Sequence, residues 1–133
     1  HPIGVDEAGR IATMFGAVSP LPDMVLSSPS VRTYSTALVF CKILGFDCDK
    51  IKLDQRIYEA DLKSLMRVIS EIPNQVDSVL MVGHNPSMTQ LADYFHGNLA
   101  HMSTSSLVGF SLQVDEWMHF DIANTQLVCK FVP

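Results

Sequence analysis

The sequence predicts an α/β fold: a three-layer sandwich with a mostly parallel central sheet and helices on both faces. Two short runs, Met24-Val25-Leu26-Ser27 and Ser78-Val79-Leu80-Met81-Val82, are apolar almost throughout, as in strands buried on two sides. Segments of helical periodicity alternate with them, giving the strand–helix–strand order of a layered sheet. Both runs pass directly into a polar turn containing a proline. The length of 133 residues suits a single domain over residues 1–133, and no repeat, low-complexity tract or charge block divides it.

The elements follow in order. Asp6 is the expected N-cap of a first helix, with Glu7 in its first turn. This helix should end near Gly16, before Ser19-Pro20-Leu21-Pro22. The Met24 run is a buried strand. Ser28 is the expected cap of a second helix, with Pro29 at its first position. Val31, Tyr34, Leu38, Cys41, Ile43 and Leu44 give that helix an apolar face, and Gly45 stops it. A short strand is expected at residues 51–53. Asp61 caps a third helix, in which Leu62, Leu65, Met66, Ile69 and Ile72 recur at helical spacing, and Pro73-Asn74 ends it. The Ser78 run leads through Gly83-His84-Asn85-Pro86 into a fourth helix containing Leu91 and Phe95. The remainder reads as β-rich, with strands at 107–114, 118–122 and 126–132 and with Trp117 and Asn124 near the connections.

Composition removes several function classes. Apolar residues make up 47% and charged residues 17%, which is globular rather than disordered composition. Nine basic against 14 acidic residues give a net charge of −5, so there is no footprint for nucleic acid or an anionic membrane. No apolar run is long enough to span a bilayer, and no signal peptide is visible, so a cytoplasmic location is expected. Cys41, Cys48 and Cys129 fit neither a disulfide framework nor a zinc site by count and spacing, and are expected to be reduced. His96, His101 and His119 lack ligand spacing and read as surface or capping residues, and Trp117 and Phe120 read as core or turn residues. No metal or cofactor is expected.

The chemistry is expected at two corners. Ser27-Ser28-Pro29-Ser30-Val31-Arg32 and Val82-Gly83-His84-Asn85-Pro86 each join a buried strand to a helix. In such sheets ligands sit at the carboxyl ends of the strands. Both helix starts would point free N–H groups at that edge, which favours an anion. Arg32, one turn into its helix, can reach back over it, and its planar fork suits a phosphoryl group. His84 stands in the second turn, where Gly83 lets backbone approach closely. Ser28 and Asn85 can add hydrogen bonds to phosphate or serve as caps.

These segments resemble the histidine phosphatase superfamily, and within it the small SixA-type phosphohistidine phosphatases. Ser27-Ser28-Pro29-x-x-Arg32-x-x-x-Thr36-Ala37 and Val82-Gly83-His84-Asn85-Pro86 carry the resemblance. Val5-Asp6-Glu7-Ala8-Gly9-Arg10 is similar to the family's Leu-Thr-x-x-Gly-Arg helix start, and Met102-Ser103-Thr104 to a late Met-x-Thr segment. The resemblance implies a phosphoglycerate mutase-like fold and a metal-independent phosphatase that passes through a phosphohistidine intermediate. Arg32 matches the second phosphate-binding arginine and His84 the second histidine. Arg56-Ile57-Tyr58-Glu59 resembles an Arg-Leu-x-Glu stretch, so Glu59 is the implied general acid. A phosphohistidine leaves as imidazole and depends less on such an acid than an ester does.

The family's nucleophile lies in an Arg-His-Gly loop after a first strand, and this sequence contains no Arg-His-Gly. The chain opens on His1 rather than methionine, so that strand and loop are expected upstream of residue 1. The expected partners are a phosphorylated signalling protein or a small phosphate ester, with inorganic phosphate as product. A monomer or weak dimer is expected. Two other classes stay open: a non-catalytic phosphate-binding module without the nucleophile, and an unrelated α/β ligand-binding domain.

Overall fold

The computed structural model describes residues 2–96, 107–112, 114–120 and 125–131. The helices are α1 (Pro2–Val18), α2 (Val31–Leu44), α3 (Leu62–Ser70) and α4 (Ser87–His96). The strands are β1 (Met24–Ser27), β2 (Lys52–Leu53), β3 (Val79–Val82), β4 (Leu107–Leu112) and β5 (Thr125–Phe131). β1 lies in the centre of a parallel sheet of order β2-β1-β3, while β4 and β5 form an antiparallel pair. The register sets Leu26 opposite Lys52 and Met81, and Ser27 opposite Leu53 and Val82.

The strands alternate between two cores, as a covered sheet requires. Met24 and Leu26 of β1, and Val79 and Met81 of β3, pack with Leu65, Val68 and Ile69 of α3 and Leu91 and Phe95 of α4. Leu80 of β3 joins Ala8, Ile11 and Ala12 of α1 and Phe40 of α2 on the other side. The predicted helix–sheet–helix layering is therefore present. Val25, Ile11, Ile57 and Leu65 are wholly buried. Each such side chain contributes about 1.5–3 kcal/mol relative to exposure.

Several boundaries differ from expectation. α1 starts at Pro2, so Asp6 lies inside the helix rather than capping it. Proline suits that start because the first turn needs no N–H donor. α1 also continues past Gly16 to Val18. Gly16 is a close-contact residue there: a Cβ would come 2.9 Å from Leu44 Cδ2 on α2. α2 is capped by Ser30 and not by Ser28, with Pro29 outside the helix. Ser30 has extended backbone and its hydroxyl accepts from Thr33 N–H, as an N-cap should. Gly45 stops α2 as expected, in the left-handed conformation at φ 82°. Asp61 caps α3 by accepting from Ser64 N–H.

The strand expected from residue 118 is overturned over its first part. Trp117–His119 is a single 3₁₀ turn, closed by Phe120 N–H on the Trp117 carbonyl. Trp117 Nε1 donates to Val76 O at 2.8 Å, and Trp117 and Phe120 pack on the α3–α4 core. Indole anchoring fixes a turn where the apolar pattern suggested extension. His119 is exposed beside Glu116, at 3.4 Å. Cys41 is buried, and that burial, reinforced by Cys48, pushes its thiol pKa up to about 11. His1, His101, Asn124 and the 102–106 segment lie outside the described residues.

Candidate active site

The three parallel strands are tied together at their carboxyl ends. Ser28 N–H donates to Val82 O at 3.0 Å, extending the ladder to β3. Asp54 N–H donates to Ser27 O at 3.0 Å, extending it toward β2. Ser27 and Ser28 are fully buried, and Ser27 Oγ donates to Ser28 O at 2.8 Å. Ser28 Oγ accepts from Ser30 N–H at 3.4 Å. The Ser28 hydroxyl thus works inside the turn, out of reach of solvent.

The next serine faces outward. Ser30 Oγ lies 2.8 Å from His84 Nε2, so the β1–α2 and β3–α4 corners meet through these two side chains. Sequence reading singled out His84 and missed Ser30. The usable signal was the spacing of Ser30 and Thr33, a cap hydroxyl three residues before a second hydroxyl. Thr33 is buried, and its Oγ1 lies 2.6 Å from Ser30 Oγ and donates to Ser28 O at 2.9 Å.

His84 is half-buried, and its backbone is held by the start of α4. Its carbonyl accepts from Ser87 Oγ at 2.8 Å and from Met88 N–H at 3.1 Å. Asn85 is exposed, and its Oδ1 accepts from Thr89 N–H at 3.2 Å and Thr89 Oγ1 at 2.8 Å. It therefore serves the start of α4. The close approach expected at Gly83 is made by this protein's own side chains. A Cβ there would lie 2.8 Å from Met88 Sδ and 3.1 Å from Ile57 Cγ2.

Arg32 is the second residue of α2, two residues nearer the helix start than expected, and it is exposed. No ion pair engages it among the described residues. Neither α2 nor α4 has an acidic residue in its first turn, so the positive ends of both helices face this edge uncompensated.

Glu59 lies on the loop after β2. It is exposed and has left-handed backbone at φ 48°, an unusual conformation for a side-chain-bearing residue. The loop is anchored just before it. Ile57 is wholly buried beneath Gly83. Arg56 grips Asp54 through Nε at 3.0 Å and Nη2 at 2.8 Å, and Glu71 through Nη1 at 2.8 Å. These bonds hold the Asp54 carboxyl below its ordinary range. The structure brings Arg32, Ser30 and His84 to one edge of the sheet. It puts Glu59 on a neighbouring loop with no direct bond to them.

No protein-family model matches this chain, and no curated protein matches it in sequence. Solved structures do match. The proposed phosphohistidine phosphatase SixA of Nakamurella multipartitia superposes with a TM-score of 0.85 at 17% identity, over 100% of this chain and 83% of that one. The SixA structure from Agrobacterium tumefaciens, also a proposed phosphohistidine phosphatase, gives 0.82 at 23% identity over 100% and 82%. A protein histidine phosphatase SixA in complex with tungstate gives 0.80 at 20% identity over 99% and 82%. The chain has the SixA fold. The corners described above occupy the carboxyl edge of that fold's parallel sheet.

Proposed function

We propose that this chain forms the body of a metal-independent SixA-type phosphatase that works through a phosphohistidine intermediate, with protein phosphohistidine as its substrate. The observation that carries the proposal is the meeting of His84 with the start of α2, two residues before Arg32. Two cationic or donor side chains and two helix N-termini then converge where a phosphoryl group would sit.

The nucleophile in this reading is the histidine of an Arg-His-Gly loop preceding α1. Topology supports a place for it. α1 packs with α2 on one face of the sheet, and α2 makes the crossover from β1 to β2. Crossovers between parallel strands are right-handed, so helices on one face step across the sheet in one direction. A strand leading into α1 would therefore stand on the side of β1 away from β2. That is the far edge of β3, which pairs with β1 alone among the described residues. Its carboxyl end would lie beside His84. β3 is half-buried along its length whereas β1 is wholly buried, as suits a strand open on one side.

The chemistry follows. The imidazole nitrogen attacks phosphorus in line, forming an N–P bond as the bond to the leaving imidazole breaks and that nitrogen takes a proton. Water then cleaves the new N–P bond, releasing inorganic phosphate and restoring the histidine. Arg32 and His84 stabilise charge on the non-bridging oxygens in both steps. Glu59 is the proposed proton source for poorer leaving groups such as esters. The proposal includes a cytoplasmic signalling role. No described helix is long and apolar enough to cross a membrane.

Titration calorimetry with tungstate tests the reading. Arg32→Ala and His84→Ala are each expected to weaken binding at least about tenfold. Unchanged affinity in both variants would sink it. A chain extended upstream to carry Arg-His-Gly should hydrolyse phosphohistidine, whereas the 133 residues alone should bind without turnover.

A further inference from the structure

The hydroxyl network at the α2 start has an arrangement of protons that serves its carbonyl acceptors. Thr33 Oγ1 has a single proton and two carbonyl acceptors in reach, Ser28 O at 2.9 Å and Ser30 O at 3.2 Å. With that proton on a carbonyl, the 2.6 Å contact between Thr33 Oγ1 and Ser30 Oγ runs on the Ser30 proton. Ser30 Oγ keeps two lone pairs. One accepts from Thr33 N–H at 3.3 Å. The other faces His84 Nε2 at 2.8 Å, and in this arrangement that bond runs on an Nε2–H.

We infer that Ser30 is the positioning residue for His84: its hydroxyl holds the ring as an Nε2–H donor aimed at the start of α2, beside Arg32. The use of that proton, donation to a phosphoryl oxygen, rests on the phosphatase reading. The positioning itself does not. Its effect is preorganisation. A ring already aimed as a donor loses less freedom when an oxyanion arrives. The same hydroxyl caps α2, so the helix carrying Arg32 and the ring of His84 are set by one side chain.

Ser30→Gly separates the two roles, because glycine at an N-cap retains most of the capping stability while removing the hydroxyl. Ser30→Thr retains both. The probe is proton–nitrogen NMR of the full chain labelled in its histidine rings, with His84→Gln to assign the signal. The wild type should show an Nε2–H resonance protected from solvent exchange. Ser30→Gly should lose that protection and bind tungstate about tenfold more weakly, and Ser30→Thr should restore both. An unprotected Nε2 in the wild type, or protection that survives in Ser30→Gly, overturns the inference. If protection follows Ser30 while no variant binds tungstate, the positioning stands and the phosphatase reading fails.

Discussion

At the β1–α2 corner the chain holds itself with hydroxyls; at the β3–α4 corner it is held by close packing. Ser27, Ser28, Ser30 and Thr33 satisfy one another and the backbone, and among the described residues no buried side-chain nitrogen or oxygen lacks a partner. Gly83 instead sits where Met88 and Ile57 leave no room for a Cβ. The strands behind the corners differ in the same sense. β1 has neighbours on both sides and is buried throughout, while β3 has a neighbour on one side among the described residues and is half-buried. The first corner is tied by its own hydrogen bonds. The second presents His84 to it.

The comparison is tested most severely by the same substitution in both strands. Leu26 in β1 is 6% exposed, and Leu80 in β3 is only partly buried. Leu26→Ala should cost about 2–5 kcal/mol, by lost transfer energy and the cavity left behind. Leu80→Ala should cost roughly half of that, because part of its surface already meets water. Urea unfolding of both variants checks this. Equal losses would mean that β3 is as central as β1, and the strand proposed beside it would lose its support. A middle-sized effect belongs to the corner itself. Gly83→Ala should cost about 1–3 kcal/mol by overpacking. Met88→Ala in the same chain should recover part of that, since the closest contact is the flexible Met88 sulfur at 2.8 Å. A fully additive double mutant would show that Ile57, not Met88, sets the limit.

Much of this was legible in the sequence, for physical reasons. The runs at Met24 and Val79 are continuously apolar because both faces of the sheet are covered. Asp61 and Gly45 could be placed because a cap hydrogen bond and a left-handed stop each demand few residue types. Ser28 and Ser30 could not be told apart in advance. Both precede the helix, both are good caps, and only the extension of the strand ladder by Ser28 N–H removes it from that role. Gly16 looked like a helix end and is a helix–helix contact, a distinction that depends on Leu44 arriving from another element. The turn at Trp117 was hidden for the same reason. Its hydrogen-bond acceptor, Val76 O, is 41 residues away.

The smallest effect concerns the loop that carries Glu59, whose anchor is ionic rather than hydroxyl or apolar. Asp54, Arg56 and Glu71 are partly to largely exposed, at 20%, 40% and 53% of side-chain surface, so their network should contribute only roughly 0.2–1 kcal/mol. Hydrogen bonds from Arg56 lower the Asp54 pKa in the folded state. A depressed folded pKa stabilises the fold above the unfolded value, near pH ~4, and that stability is lost as pH falls through the folded value. Arg56→Gln should therefore unfold slightly more easily than wild type at neutral pH, and the gap should close on acidification below about pH 4. It should also narrow in molar salt, where exposed pairs are screened. A gap that survives both acid and salt would assign Arg56 a packing role through its aliphatic stem. The loop under Glu59 would then be anchored like the Gly83 corner, by contact rather than charge.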